Sequence, residues 1–74
     1  MRDANGNRLH DGDIVQQIIT DRLHAKGAEW VILGIGIEPS TNRKIAVMKS
    51  EKDYIMCAYQ QELKFFVKKE VAVC

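Results

Sequence analysis

Cysteine, proline and unbalanced charge are all scarce in this chain. Two cysteines, Cys57 and Cys74, are too few for the disulfide framework of a small secreted domain. One proline, with 46% hydrophobic and 28% charged residues, argues against a disordered tail and for an ordered domain. Eleven Lys and Arg against ten Asp and Glu leave a net charge of +1, so no overall basic field exists to hold nucleic acid non-specifically. The longest apolar run, Trp30 to Ile37, carries two glycines and falls far short of the ~20 residues that span a bilayer. No membrane association is expected. The polar start Met1-Arg2-Asp3 does not read as a secretory leader, which makes the cytoplasm the expected location. A chain of 74 residues is expected to be one domain, 1–74. Chains this short bury only about 60% of their unfolded surface, so the core is thin and a partner or a second copy could add to it.

What the chain does have is concentrated at its beginning. Asn5-Gly6 and Asp11-Gly12 are two turn signals around an isolated Leu9, and they lead into Ile14, Val15, Ile18 and Ile19. Asn, Asp and Gly tolerate positive φ, and Asn or Asp can bond its own backbone two residues on. The alternation Asp3, Asn5, Asn7 resembles the opening of an EF-hand calcium loop. That loop needs Gly at its sixth position and a bidentate Glu at its twelfth, where this chain has Arg8 and Ile14, so a plain turn is expected.

Asp13 to Gly27 admits two readings. Ile14, Val15, Ile18, Ile19 and Leu23 recur at helical spacing, with Asp13 as N-cap and Gly27 as C-cap. The β-branched residues and the preceding turns instead suggest a strand from Asp13 to Thr20 followed by a long loop. Glu29 to Glu38 alternates more clearly. Val31, Leu33, Ile35 and Ile37 make one apolar face, and Gly34 and Gly36 lie on the other, where missing side chains permit a bend or the approach of another backbone. A phosphate-binding Gly-x-Gly would need a third glycine and a following helix, but Pro39-Ser40-Thr41-Asn42 is a turn.

That turn leads to a strand from Lys44 to Lys49. Ser50 to Asp53 makes the next turn, and Tyr54 to Tyr59 the next strand. Two successive hairpins indicate an antiparallel meander. Leu63 to Lys68 alternates as a closing strand with Leu63, Phe65 and Val67 inward and Phe66 outward, although Leu63, Phe66, Val67 and Val71 also fit a helix. Short strands with short connections predict an all-β fold, a five-stranded antiparallel barrel. The apolar tail Val71-Ala72-Val73-Cys74 is expected to add an edge strand or to contact another subunit.

The run Asp3-Ala4-Asn5-Gly6-Asn7, Leu9, Asp11-Gly12-Asp13 and Val15 resembles the start of the C-terminal SH3-like domain of PhnA-type proteins, named for alkylphosphonate-uptake operons. Asp21, Leu23 and Lys26-Gly27 are similar to that family's Asp-Leu-x-x-Lys-Gly stretch, Ile55 and Cys57 to its Ile-x-Cys strand, and Phe66-Val67-Lys68-Lys69 to its closing Phe-Val-Lys-Lys. The opening also resembles that of YopX-type phage proteins. The middle, Ala28 to Arg43, is longer and more apolar than its Lys-rich counterpart in the PhnA-type family. The resemblance implies a bacterial or phage protein with an SH3-like barrel, residues 13 to 20 as strand and 21 to 27 as its long first loop.

The candidate chemistry is sparse. His10, His24, Cys57 and Cys74 lack the close paired spacings of a zinc site, so no metal or other cofactor is expected. Cys57, between apolar neighbours, is expected to be inert core, and Cys74 to be exposed. Catalysis by Cys57 with His24 as base has no local signature, and Asp11 and Asp13 flank a turn glycine, where carboxylates more often bond backbone amides. No enzyme activity is expected. Small SH3-like barrels instead bind in a groove beside the first loop, where aromatic side chains dock peptides or stack on bases. Trp30, Tyr54, Tyr59 and Phe66, with Arg43 and Lys44, are the expected binding surface, and Trp30 and Tyr59 equally suit the thin core, which small barrels close with their aromatic residues. Phe66, Val71 and Val73 are the expected interface with a protein partner or a second copy. The reading is a non-catalytic module for protein interaction or self-association, with nucleic-acid binding as the alternative.

Overall fold

In a computed structural model, residues 1–22 and 24–69 are described. Strands β1 (Ile14–Gln17), β2 (Glu29–Glu38), β3 (Arg43–Ser50), β4 (Ile55–Tyr59) and β5 (Phe66–Lys68) form one antiparallel sheet in the order β4-β3-β2-β1-β5. A 3-10 helix, Gln60–Phe65, joins β4 to β5 and packs on both. No helix among the described residues is long and apolar enough to cross a membrane.

The first strand is shorter than the stretch 13 to 20 expected for it. The Gly27 N–H donates to the Gln17 carbonyl at 2.7 Å, and the Gln17 N–H to the Ala28 carbonyl at 2.8 Å, so β1 ends where the loop 18–28 returns to it. Gly27 has φ +93°, a conformation in which a Cβ would crowd the following carbonyl. The two hairpin turns each place a tolerant residue at positive φ, Asn42 at 57° and Asp53 at 65°.

Alternation along β2 breaks at Leu33. Ile32 faces Met48 and Gly34 faces Val47, so Leu33 is an extra residue in a β-bulge. Before the bulge Trp30 and Ile32 point into the core, and after it Ile35, opposite Ala46, packs against the core. The single apolar face expected on Val31, Leu33, Ile35 and Ile37 is therefore divided, and Leu33 and Ile37 are exposed. Among the described residues a Cβ built on Gly34 or Gly36 would meet nothing within 4 Å, so no second backbone of these residues covers that face of the glycines.

The core gathers Leu9, Val15, Trp30, Ile32, Ala46, Met48, Ala58, Leu63 and Phe66. Two of these correct the reading of residues 63 to 68 as one strand. The 3-10 helix buries Leu63 and ends at Phe65, so β5 begins one residue later and in the opposite phase, which turns Phe66 inward, 5% exposed. A helical turn of about three residues replaced the two-residue period that the alternation implied.

The sheet is open. Its end strands, β4 and β5, do not pair with each other. The outer side of β5 is occupied instead by the N-terminal segment: the Ala4 N–H donates to the Phe66 carbonyl at 2.9 Å and the Lys68 N–H to Asp3 Oδ2 at 2.6 Å. Asp3 also accepts from the backbone N–H of Asn5 and Asn7, and Leu9 is buried beneath the same loop. The predicted turns at Gly6 and Gly12 are present, with φ +82° and +87°. They fold the N-terminus back over an edge that would otherwise be bare.

Candidate functional site

The six residues expected to form one binding surface lie in three places. Trp30 is core. Its indole N–H donates to Gln17 Oε1 at 3.2 Å, and its ring meets Phe66 edge-on at 6.3 Å. Phe66 is likewise core, so neither ring is free to dock a ligand by its face. Tyr54 is half-exposed and meets the ring of buried His24 edge-on at 5.4 Å, while His24 packs on Trp30 at 4.6 Å. Tyr59, Arg43 and Lys44 sit at the opposite end of β3 and β4, about 17 Å from Tyr54 along a five-residue strand. Val71 and Val73 lie outside the described residues.

The Trp30 end is a clamp on the first loop. Gln17, fully buried, accepts from Trp30 and donates through Nε2 to the carbonyls of Ile19 at 2.8 Å and His24 at 3.3 Å. Asp21 Oδ1 accepts the His24 N–H at 2.7 Å. His24 Nε2 has no hydrogen-bond partner, because aromatic rings flank it. The His24 ring thus serves as a flat spacer between Trp30 and Tyr54.

The Tyr59 end is polar and ordered. The Tyr59 hydroxyl donates to Glu38 Oε2, Ser40 Oγ donates to Glu38 Oε1 at 2.7 Å, and the Arg43 guanidinium lies 4.4 Å from the Tyr59 ring centre while bonding Gln61. The Tyr59 hydrogen bond, then that of Ser40, holds the Glu38 carboxyl below its ordinary value, and the same Glu38 contact pushes the Tyr59 phenol up. Lys44 is exposed and faces Ile37 across the strands.

Three lysines are matched locally. Lys49 pairs with Asp53 at 3.1 Å, Lys68 with Asp13 at 3.6 Å and Lys69 with Glu29. Lys64 lies 5.0 Å from the Phe65 ring centre. Lys49, Lys68 and Lys69 would have to give up these pairs to hold a phosphate backbone.

Sequence reading missed the outer face of β2, β3 and β4. Lys49, Val47 and Ile45 point outward on β3, opposite Ile55, Cys57 and Tyr59 of β4 and Val31, Gly34 and Gly36 of β2. Ile55 is 65% exposed, and Cys57 is exposed rather than core. The two glycines leave a shallow trough between the bulged Leu33 and Ile45. The signal was masked because both faces of these strands are apolar: Ala46, Met48, Met56 and Ala58 fill the inner positions.

Among the described residues, small depressions flank the sheet. One, of about 160 Å³, is lined by Ile14, Trp30, Val31, Lys49, Ser50 and the carboxylates of Glu29 and Glu51. Another, of about 120 Å³, lies between the first loop and the 3-10 helix, against Gln17, Ile19, Asp21, Met56, Glu62, Phe65 and Phe66. Both are smaller than the roughly 300–1,000 Å³ of pockets that enclose a small molecule. His24 packs on an inner-face residue and Cys57 lies on the outer face, so this pair is not brought together. Among the described residues no group of three or more His, Cys, Asp or Glu could hold a metal ion.

These features define a small all-β protein with one open five-stranded antiparallel sheet, an apolar outer face and polar residues at one end of it. No family model, curated protein or solved structure matches this chain.

Proposed function

We propose that this chain is a non-catalytic protein-interaction module of SH3-like architecture, related to the C-terminal domain of PhnA-type proteins and working in the cytoplasm. The strand order, with the long first loop between β1 and β2 and a 3-10 helix between β4 and β5, supports the architecture. The observation that carries the function is the outer face of β2, β3 and β4. Ile45, Val47, Ile55 and Cys57 lie there beside Gly34 and Gly36, with Lys49 at one end of the group and Arg43 and Glu38 at the other. An apolar face of this kind, exposed at Ile55 and Cys57 and half-buried at Ile45 and Val47, marks a protein contact more often than a nucleic-acid contact, which rests on cations.

Light scattering at low and high salt, together with titration of a labelled single-stranded oligonucleotide, tests the reading. Association that persists at high salt and is lost in Val47→Asp, with secondary structure intact, is the expected result. A monomer that binds the oligonucleotide with an affinity falling steeply as salt rises would replace it with nucleic-acid binding, centred on Arg43, Lys44 and Tyr59.

A further inference from the structure

The two ends of the sheet are treated differently. On β5 the Lys69 N–H donates to the Ile14 carbonyl and the Ile18 N–H to the Phe65 carbonyl, so alternate residues Phe66 and Lys68 direct their backbone groups away from β1. Those are the groups that Ala4 and Asp3 occupy. The same alternation applies to β4. The Ser50 N–H donates to the Tyr54 carbonyl at 2.8 Å, and with Met48 opposite Met56 this turns the backbone groups of Met56 and Ala58 toward β3 and those of Ile55, Cys57 and Tyr59 outward. Glu62 takes the Tyr59 N–H at 3.2 Å. Among the described residues nothing pairs with the outward N–H and carbonyl groups of Ile55 and Cys57. The strand Ile55-Met56-Cys57-Ala58-Tyr59 also lacks the charge, proline or bulge that ordinarily keeps an edge from pairing.

We propose that the partner of this edge is β4 of a second copy of the chain, joined antiparallel about a two-fold axis at Met56. In that register Ile55 stands opposite the partner's Cys57 and Cys57 opposite the partner's Ile55, and all four outward groups on each strand are paired. A two-fold contact uses the same patch on both copies, which a short neutral strand with free groups spaced two residues apart supplies. The register sets Asp53, which pairs with its own Lys49, opposite the partner's Tyr59, and no charged residue of β4 meets another across the axis. The two outer apolar faces, each on β2, β3 and β4, become one continuous surface across six strands. This proposal rests on the protein-interaction reading and adds its partner, edge and register.

The test is sedimentation and light scattering of the full chain over a concentration series carried to about 1 mM, with four variants. The mass is expected to rise with concentration from 8.4 kDa toward twice that value. Ile55→Lys places a charge on the open edge and is expected to weaken association at least about tenfold. Its thermal midpoint is expected to stay close to that of the parent, because the side chain is already exposed. In a chain carrying Ile55→Cys and Cys74→Ser, mild oxidation is expected to give a dimer whose disulfides link position 55 of one copy to Cys57 of the other, since directly opposed Cα atoms lie within disulfide range. Association that survives Ile55→Lys and forms no such link, yet is lost in Val47→Asp, would overturn the β4 pairing and leave the docking face standing. Association lost in Val71→Asp with Val73→Asp but retained in Ile55→Lys would also overturn it, in favour of the tail. A chain that stays monomeric throughout would overturn both the pairing and self-association.

Discussion

Asp3 and Lys68, 65 residues apart in sequence, meet through a 2.6 Å hydrogen bond from the Lys68 backbone N–H to the Asp3 carboxylate. Burial alone would push the Asp3 carboxyl up. The N–H groups of Lys68, Asn7 and Asn5, with the Asn7 amide, outweigh it and hold the group below its ordinary 3.8.

A depressed carboxyl contributes stability that is fully present above its unfolded value and is lost as pH falls through the lower folded value. The Asp3 contribution is therefore expected to persist to about pH 4 and fade below it. Asp3→Ala is expected to cost about 2 kcal/mol near neutral pH, read from urea unfolding, and to flatten the acid limb of the stability profile. An unchanged acid limb would show that Asp3 does not tie the N-terminus to β5.

Gln17 is the hub of the first loop. Replacing it with Met keeps the volume but leaves the Trp30 indole N–H and the Ile19 and His24 carbonyls without their partner. The expected loss is about 1–3 kcal/mol, with faster amide exchange concentrated in residues 18–28. Exchange that rises equally along β3 would place the defect in the core rather than in the loop.

Two glycines with equally open surroundings should respond in opposite ways. Gly27→Ala forces an alanine to φ +93° and is expected to cost about 1–2 kcal/mol. Gly36→Ala, in extended backbone opposite Ile45, is expected to be neutral or to stabilise by up to about 1 kcal/mol. Thermal midpoints of the two variants check this directly, and a loss at Gly36 as large as at Gly27 would contradict it.

The Tyr59 phenol, raised above 10.0 by its bond to Glu38, contributes stability below that value and loses it as pH rises through the folded value. Glu38→Gln should lower the midpoint of phenolate absorbance for Tyr59, identified in a Tyr54→Phe background. A midpoint that does not move would break the assignment of Glu38 as its cause.

The local signals that were legible are those that act through the backbone itself. Asn5-Gly6, Asp11-Gly12 and the turns containing Asn42 and Asp53 adopt the positive φ their residues favour, and β2 spans Glu29–Glu38 as its alternation predicts. What failed was phase. One inserted residue at Leu33 exchanged the faces of β2, and a 3-10 helix over 60–65 exchanged those of the last strand, carrying Phe66 from an expected interface into the core. Neither event has a residue signature, because Leu and Phe suit both faces of a thin sheet. Cys57 was misplaced for a related reason: a strand apolar on both sides does not say which side is wet. The binding surface was therefore sought among the aromatic residues, two of which, Trp30 and Phe66, close the core.

The position of β1 between β2 and β5 governs how fast this chain can acquire its structure. Val15 emerges early, yet one of its two neighbouring strands is made only when residues 66–68 appear. Hairpins from β2 to β4 join neighbours in sequence, but the seat of β1 is completed only when residues 66–68 come back to it. Contacts of such long sequence separation slow the search for the native state. The nascent chain must meanwhile keep its apolar strands apart from those of its neighbours.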